Sequence, residues 1–316
     1  MRPELFKVLD IGFPAYFVLL LTGFSFATAV AVIWARRIGQ NPDVIVDLAL
    51  AALLMGVIGG RIFHVLFDGF FMDYVHLCTD PTLVNWTELP EQCGVGRFKD
   101  GVWSEALGYC HPKSSDCFAW AKFWAGGLTY YGGFVFSSVA GILLLRRDRF
   151  PVLKACDLSA VGIAIGLGFG RMGCLLAGCC FGQPHEGPLS LVFPAGSPAS
   201  EAQAKLDLLP TKMIESHAVY ATQPMESAMS FAVAGFLLFY LQGRKKYDGQ
   251  VFVWFLGLYA MGRFVIEFFR ADDRGGVAGL STSQIIGLVL VAACVGLHRA
   301  ITSGALEKWR GAGREA

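Results

Sequence analysis

Charge is scarce in this sequence. Only 16% of its 316 residues are Asp, Glu, Lys or Arg, and 26 basic residues against 25 acidic ones leave a formal charge of +1. A near-neutral chain presents no broad basic surface, which excludes a nucleic-acid partner. Polar positions are few as well: 54% of the residues are apolar and the mean hydropathy is +0.52, which excludes an ordinary soluble domain. The first apolar run has no small-residue cleavage site after it and is too long for a signal-peptide core, so it is expected to remain as a helix. No inverted repeat is visible, which argues against transporters built around a midplane site. Nor is there a CxxC among Cys78, Cys93, Cys110 and Cys117, the spacing that would favour zinc.

What is abundant suits lipid. There are 38 glycines and 13% aromatics, as in closely packed membrane helices with interfacial anchors. A bilayer core of roughly 30 Å takes about 20 apolar residues of helix. Seven such stretches lie near 12–35, 45–70, 126–145, 157–181, 218–241, 250–269 and 281–302. The expected fold class is therefore an all-α polytopic membrane protein with about seven transmembrane helices, one integral membrane domain over 1–316. Every second connection is basic: Arg36 and Arg37; Arg146, Arg147, Arg149 and Lys154; Arg244, Lys245 and Lys246; and Arg299, Lys308, Arg310 and Arg314. Basic short loops stay in the cytoplasm, which predicts an outside N-terminus, a cytoplasmic C-terminus, and two long outer connections at 72–125 and 183–217. The four cysteines named above fall in the first of these, and an even number there predicts two disulfides in one of three pairings, with a zinc site as the runner-up. The second, with Pro184, Pro188, Pro194, Pro198 and Pro210, predicts a small turn-rich head in which His185 and His217 are solvated.

Ionisable residues inside apolar spans cost several kcal/mol unless partnered, so each is a functional candidate. Arg61, His64 and Asp68 share one face at i, i+3 and i+7; Arg171, Glu226, Arg263 and Glu267 complete the set. Arg263 and Glu267 at i, i+4 also read simply as an intrahelical pair. At about 1.5 Å per residue, Arg61, Arg171 and Arg263 all lie roughly 20 to 25 Å from the inner face, and Tyr131 and Glu226 lie about 7 to 10 Å below the outer one. Groups from five helices on one level predict a site for an anionic lipid headgroup, because guanidinium forks match phosphate oxygens. Glycines accumulate at the same places: Gly59 and Gly60, the pairs at 126–127 and 132–133, and Gly166, Gly168, Gly170 and Gly173. They read either as close helix packing or as room for a substrate.

Five segments carry a resemblance: GGRIFHVLF at 59–67, GGLTYYGG at 126–133, GFGRMGCLLAGCCFG at 168–182, ATQPMESA at 221–228 and YAMGRFVIEFFR at 259–270. In this order the chain resembles the bacterial phosphatidylglycerol–prolipoprotein diacylglyceryl transferases from about 12 to 300, with 73–120 looking like an insertion. The resemblance implies a bacterial inner-membrane enzyme that moves the diacylglyceryl group of phosphatidylglycerol onto the thiol of a lipobox cysteine in a preprolipoprotein signal peptide, with no cofactor and no metal. It implies catalytic roles for Arg171, Arg263, Glu267 and Tyr131, and substrate contacts for Arg61, His64, Tyr16, Gln223, Glu226, Gly170 and Gly173. The family pattern has His where this chain has Tyr131, two Asn where it has Cys174 and Ala177, and Glu where it has Cys179. The proton acceptor is thus open between Tyr131 and His64. Cys174, Cys179 and Cys180 read as small apolar packing, then as a disulfide, then as a reactive thiol; tetrahedral zinc is disfavoured by two adjacent cysteines. A catalytically altered or inactive paralogue that binds anionic lipid or lipoprotein precursor, and a transporter, are the alternative readings.

Overall fold

The computed structural model describes residues 4–8, 11–86, 90, 93–94, 98–123, 126–271, 276–277 and 279–303; Lys308, Arg310 and Arg314 lie outside them. Its helices in chain order are α1 (Ala15–Arg37), α2 (Pro42–Phe67), α3 (Phe71–Thr79), α4 (Tyr130–Arg147), α5 (Val152–Ala177), α6 (Pro198–Lys205), α7 (Thr222–Gly235), α8 (Gln250–Glu267) and α9 (Thr282–Thr302). Helix α7 continues to Leu241 as a π-helix, Phe236–Leu241. Among the described residues six helices are long and apolar enough to cross a membrane: α1, α2, α5, α7 with its π continuation, α8 and α9. The seventh predicted stretch is α4, 18 residues that end on Arg146 and Arg147. The all-α polytopic class expected from hydropathy is thus what the chain forms.

The chain divides into two compact units, 1–45 with 151–316, and 46–150. In the first, α5 lies against α1, α7 and α8. Small residues permit these approaches: a Cβ on Gly23 would strike Phe169, and one on Gly168 would strike the Phe231 ring. Ala160, Val161, Ala164 and Ile165 of α5, Val233 and Ala234 of α7, Leu237, and Val251 and Phe255 of α8 form the core. One charge in this core was hidden by the boundary drawn at 157. Asp157 is fully buried a turn and a half into α5 and accepts hydrogen bonds from Lys245 Nζ (2.7 Å) and from the backbone N–H groups of Gly249 (2.9 Å) and Phe252 (3.1 Å). It ties the start of α8 to α5. The segment between α5 and α7 is a small head with its own core of Phe193, Ala199 and Val219, and Ser190–Leu191 pairs with Val219–Tyr220. Contrary to expectation, His185 is not simply solvated, since its ring stacks on Tyr220 at 3.9 Å. His217 is held through its backbone N–H, which donates to Gln203.

The span expected to run to 181 stops four residues earlier. Hydropathy continues through Cys179, Cys180 and Phe181, but Gly178 adopts φ 75° and its N–H closes back on Cys174 and Leu175 carbonyls, a glycine cap that ends α5. Both adjacent cysteines therefore stand outside the helix.

In the second unit α2 and α4 meet backbone to backbone. A Cβ on either Gly59 or Gly132 would collide with the carbonyl oxygen of the other, and Ser137 Oγ donates to the Ala52 carbonyl at 2.8 Å. The first long connection folds as α3 and a hairpin of Gly101–Ser104 with Tyr109–Pro112. Disulfides join Cys78 to Cys117 and Cys93 to Cys110, which uses all four thiols that zinc would have needed. With sequence separations of 39 and 17, each closure is worth about 3 to 4 kcal/mol in the chain-entropy account. Of nine cysteines, five remain free. Alkylation of unreduced, denatured protein should tag those five, and prior reduction should raise the count to nine; nine tags without reduction would refute both bridges.

Candidate active site

The first unit gathers its intramembrane charges around one carboxylate. Glu226, in the first turns of α7, has no solvent exposure. Its Oε1 lies 2.9 Å from Arg171 Nη2 and accepts the Tyr259 hydroxyl at 3.1 Å. Its Oε2 faces Arg263 Nη1 at 3.7 Å and Arg270 Nη1 at 3.8 Å. Arg263 also pairs with Glu267 at 2.5 Å one turn along α8. The intrahelical pair forms, and the same guanidinium also faces Glu226. Helix α9 closes the set: Ser281 caps it in a reciprocal box with Gln284, and the Ser281 hydroxyl donates to Glu267 Oε1 at 3.1 Å.

A buried charge needs a partner: Glu226, Arg263, Glu267 and Arg270 are ion-paired with one another, and Glu226 and Glu267 each accept one hydroxyl hydrogen bond. Arg171 differs. It pairs one terminal nitrogen with Glu226 while a fifth of its side chain stays exposed. Gln223, 1% exposed, donates through Nε2 to the Cys179 carbonyl at 2.8 Å, while its Oε1 has no hydrogen-bond donor among the described residues. Tyr16 packs on Gly173, where a Cβ would lie 2.9 Å from its ring, whereas a Cβ on Gly170 would meet nothing. Gly173 is thus a packing glycine, and Gly170 borders open space.

The second unit holds the remaining predicted residues. Arg61, expected to contact substrate, is turned to backbone: Nε donates to the Trp120 carbonyl (2.6 Å), Nη1 to Gly126 (2.5 Å) and Gly127 (3.1 Å), and Nη2 to Ala119 (2.7 Å). Its role here is to clamp those four carbonyls. His64 Nδ1 lies 2.9 Å from Asp68 Oδ2, which also accepts the Thr129 hydroxyl at 2.5 Å. Those two hydrogen bonds, Thr129 first, hold the Asp68 carboxyl below its usual range. The same contact orients the His64 ring. Tyr131, 71% exposed at the start of α4, has no partner for its hydroxyl among the described residues.

Two members of the cluster escaped the sequence reading. Arg270 ends a motif whose i, i+4 pair was noticed, and its i+7 spacing from Arg263 was the available signal. Tyr259 lies one turn before Arg263 on the same helix face, but a tyrosine in an apolar span has no sequence mark that separates a ligand from an interfacial anchor.

The sequence model of the family described as prolipoprotein diacylglyceryl transferase matches residues 3–88 and 102–299. The similarity therefore reaches further into the first long connection than its motifs indicated, leaving out only 89–101. The phosphatidylglycerol–prolipoprotein diacylglyceryl transferase of Clostridium tetani is 27% identical over 291 residues, covering 92% of this chain and 94% of the relative. A second such transferase, from Clostridium perfringens, is 26% identical over 291 residues, 92% of each chain. One from Dehalococcoides mccartyi is 31% identical over 169 residues, 54% of this chain and 59% of its own.

The cluster makes a stability prediction. Glu226→Ala leaves guanidiniums buried against one another and should cost about 3 to 5 kcal/mol, seen as a lower midpoint of thermal unfolding in detergent. Glu226→Gln, which keeps an acceptor for Tyr259, should lose less. An alanine variant that melts like the parent would show that the carboxylate does not organise the site.

Proposed function

The chain belongs to the prolipoprotein diacylglyceryl transferase family, and we propose that it transfers the diacylglyceryl group of phosphatidylglycerol to the thiol of a lipobox cysteine in a preprolipoprotein signal peptide, releasing glycerol phosphate. In this reaction the thiolate forms a sulfur–carbon bond to the diacylglyceryl carbon while the carbon–oxygen bond to phosphate breaks. The thiol proton goes to a base, and the departing phosphate gains a second negative charge. Fixed cations aimed at that charge are the largest contribution a protein can make.

The observation that carries the reading is Arg171: one terminal nitrogen of its fork is anchored on a buried carboxylate and a fifth of the side chain is exposed. Glu226 holds Arg171, Arg263 and Arg270 around it, and Glu267, braced by Ser281, orients Arg263. An anchored fork meets phosphate without first paying to reorganise. Gln223 Oε1 supplies a buried acceptor for a glycerol hydroxyl of the headgroup, and Gly170 supplies room. The proton acceptor is one of the two residues that the resemblance leaves open, His64 or Tyr131. The basic connections support an outside N-terminus and cytoplasmic C-terminus in a bacterial inner membrane.

The test is the purified protein in phosphatidylglycerol bilayers with a synthetic lipobox peptide, following peptide mass and glycerol phosphate together. The peptide should gain one diacylglyceryl group per glycerol phosphate released. Arg171→Ala and Arg263→Ala should each lower the rate by about 100-fold or more while still inserting. Unmodified peptide with the parent protein would overturn the assignment, and unaltered rates in either arginine variant would remove that residue from the site. Full activity of His64→Gln would exclude it as the base, and full activity of Tyr131→Phe would exclude its hydroxyl.

A further inference from the structure

Three thiols at the end of α5 are used by nothing above. The Sγ atoms of Cys174, Cys179 and Cys180 lie within 4.8 Å of one another. None is in a disulfide; Cys174 is buried and the other two are half-buried. Adjacent cysteines point apart on regular backbone, so their convergence needs a local cause. It is supplied by two left-handed residues, Gly178 at φ 75° and Cys180 at φ 61°, the second a conformation uncommon for any residue but glycine. Helix α7 holds that shape in place: Thr222 Oγ1 donates to the Cys180 carbonyl and Gln223 Nε2 to the Cys179 carbonyl, each at 2.8 Å. Both donors come from buried side chains. The backbone beneath the sulfurs is fixed without the sulfurs' help.

We propose that Cys174, Cys179 and Cys180 form a three-thiolate binding site for one soft cation, monovalent copper being the best match. Thiolate sulfur selects such ions over the oxygen-seeking magnesium and calcium. A metal–sulfur length near 2.3 Å places three sulfurs about 4 Å apart in a trigonal plane, a small movement from the separation already present. Among the described residues no fourth Cys, His, Asp or Glu joins the group, so a tetrahedral ion such as zinc lacks a ligand, whereas a three-coordinate monovalent ion does not. On binding, three S–H protons pass to solvent, three sulfur–metal bonds form, and no oxidation state changes. The complex carries two negative charges. The site does not depend on the transfer reaction, and its test does not use that activity.

The experiment is competition for copper by the purified full chain in detergent, with ascorbate keeping the metal monovalent and the disulfides intact. A Cys156→Ala, Cys294→Ala background leaves the three thiols as the free ones. One equivalent of copper should leave a bicinchoninate complex, all three thiols should become protected from alkylation, and X-ray absorption should show three sulfur neighbours. Cys179→Ser and Cys180→Ser should each weaken binding by more than the roughly 10- to 100-fold that loss of an outer-shell partner costs. Cys174→Ser should do the same, and if that buried change prevents folding the two half-buried positions decide the matter. No withdrawal of copper, or undiminished affinity in either the 179 or the 180 variant, overturns the proposal.

Discussion

Glu226 is a carboxylate without water, and the arrangement of the first unit depends on what it attracts. Three guanidiniums from two helical regions turn toward it, at 2.9, 3.7 and 3.8 Å. In an apolar interior, charges this close are weakly screened. Remove the anion and the cations repel; remove the cations and the anion is stranded. The pairing therefore fixes how α5, α7 and α8 stand to one another, and the small residues along α5 allow helices to come near enough for the pairing to form. Arg171, the partly exposed member of the cluster, touches the carboxylate through a single terminal nitrogen.

The expense of burying charge is also why so much of this site was legible from the chain alone. Arg171, Glu226, Arg263 and Glu267 stand out because so few ionisable residues interrupt the apolar runs, and all four meet in the structure. What escaped has physical reasons. Arg270 lies just past a hydropathic boundary, where an arginine looks interfacial, and Asp157 lay at the very start of a run drawn five residues late. Arg61 stood out equally well, yet its partners are backbone carbonyls, and no sequence pattern announces a carbonyl. The end of α5 was misplaced because hydropathy measures side chains while the helix is stopped by the backbone of Gly178.

That same stop separates two chemistries within a dozen residues. Arg171 remains on the rigid helix, where its reach is set by α5 and its anchor by α7. Cys179 and Cys180 lie beyond the cap, on backbone bent by left-handed residues and pinned by Thr222 and Gln223. Gln223 supports that turn through its amide nitrogen, while its oxygen has no hydrogen-bond donor among the described residues.

The π-wound end of α7, Phe236–Leu241, has a consequence for the length of the chain. A π turn holds one more residue than an α turn, so this stretch stores a residue that a regular helix would have to place elsewhere. Each residue of α-helix turns the face by about 100°. Rewinding Phe236–Leu241 as α-helix would therefore turn Glu226 by about that angle relative to the residues beyond Leu241.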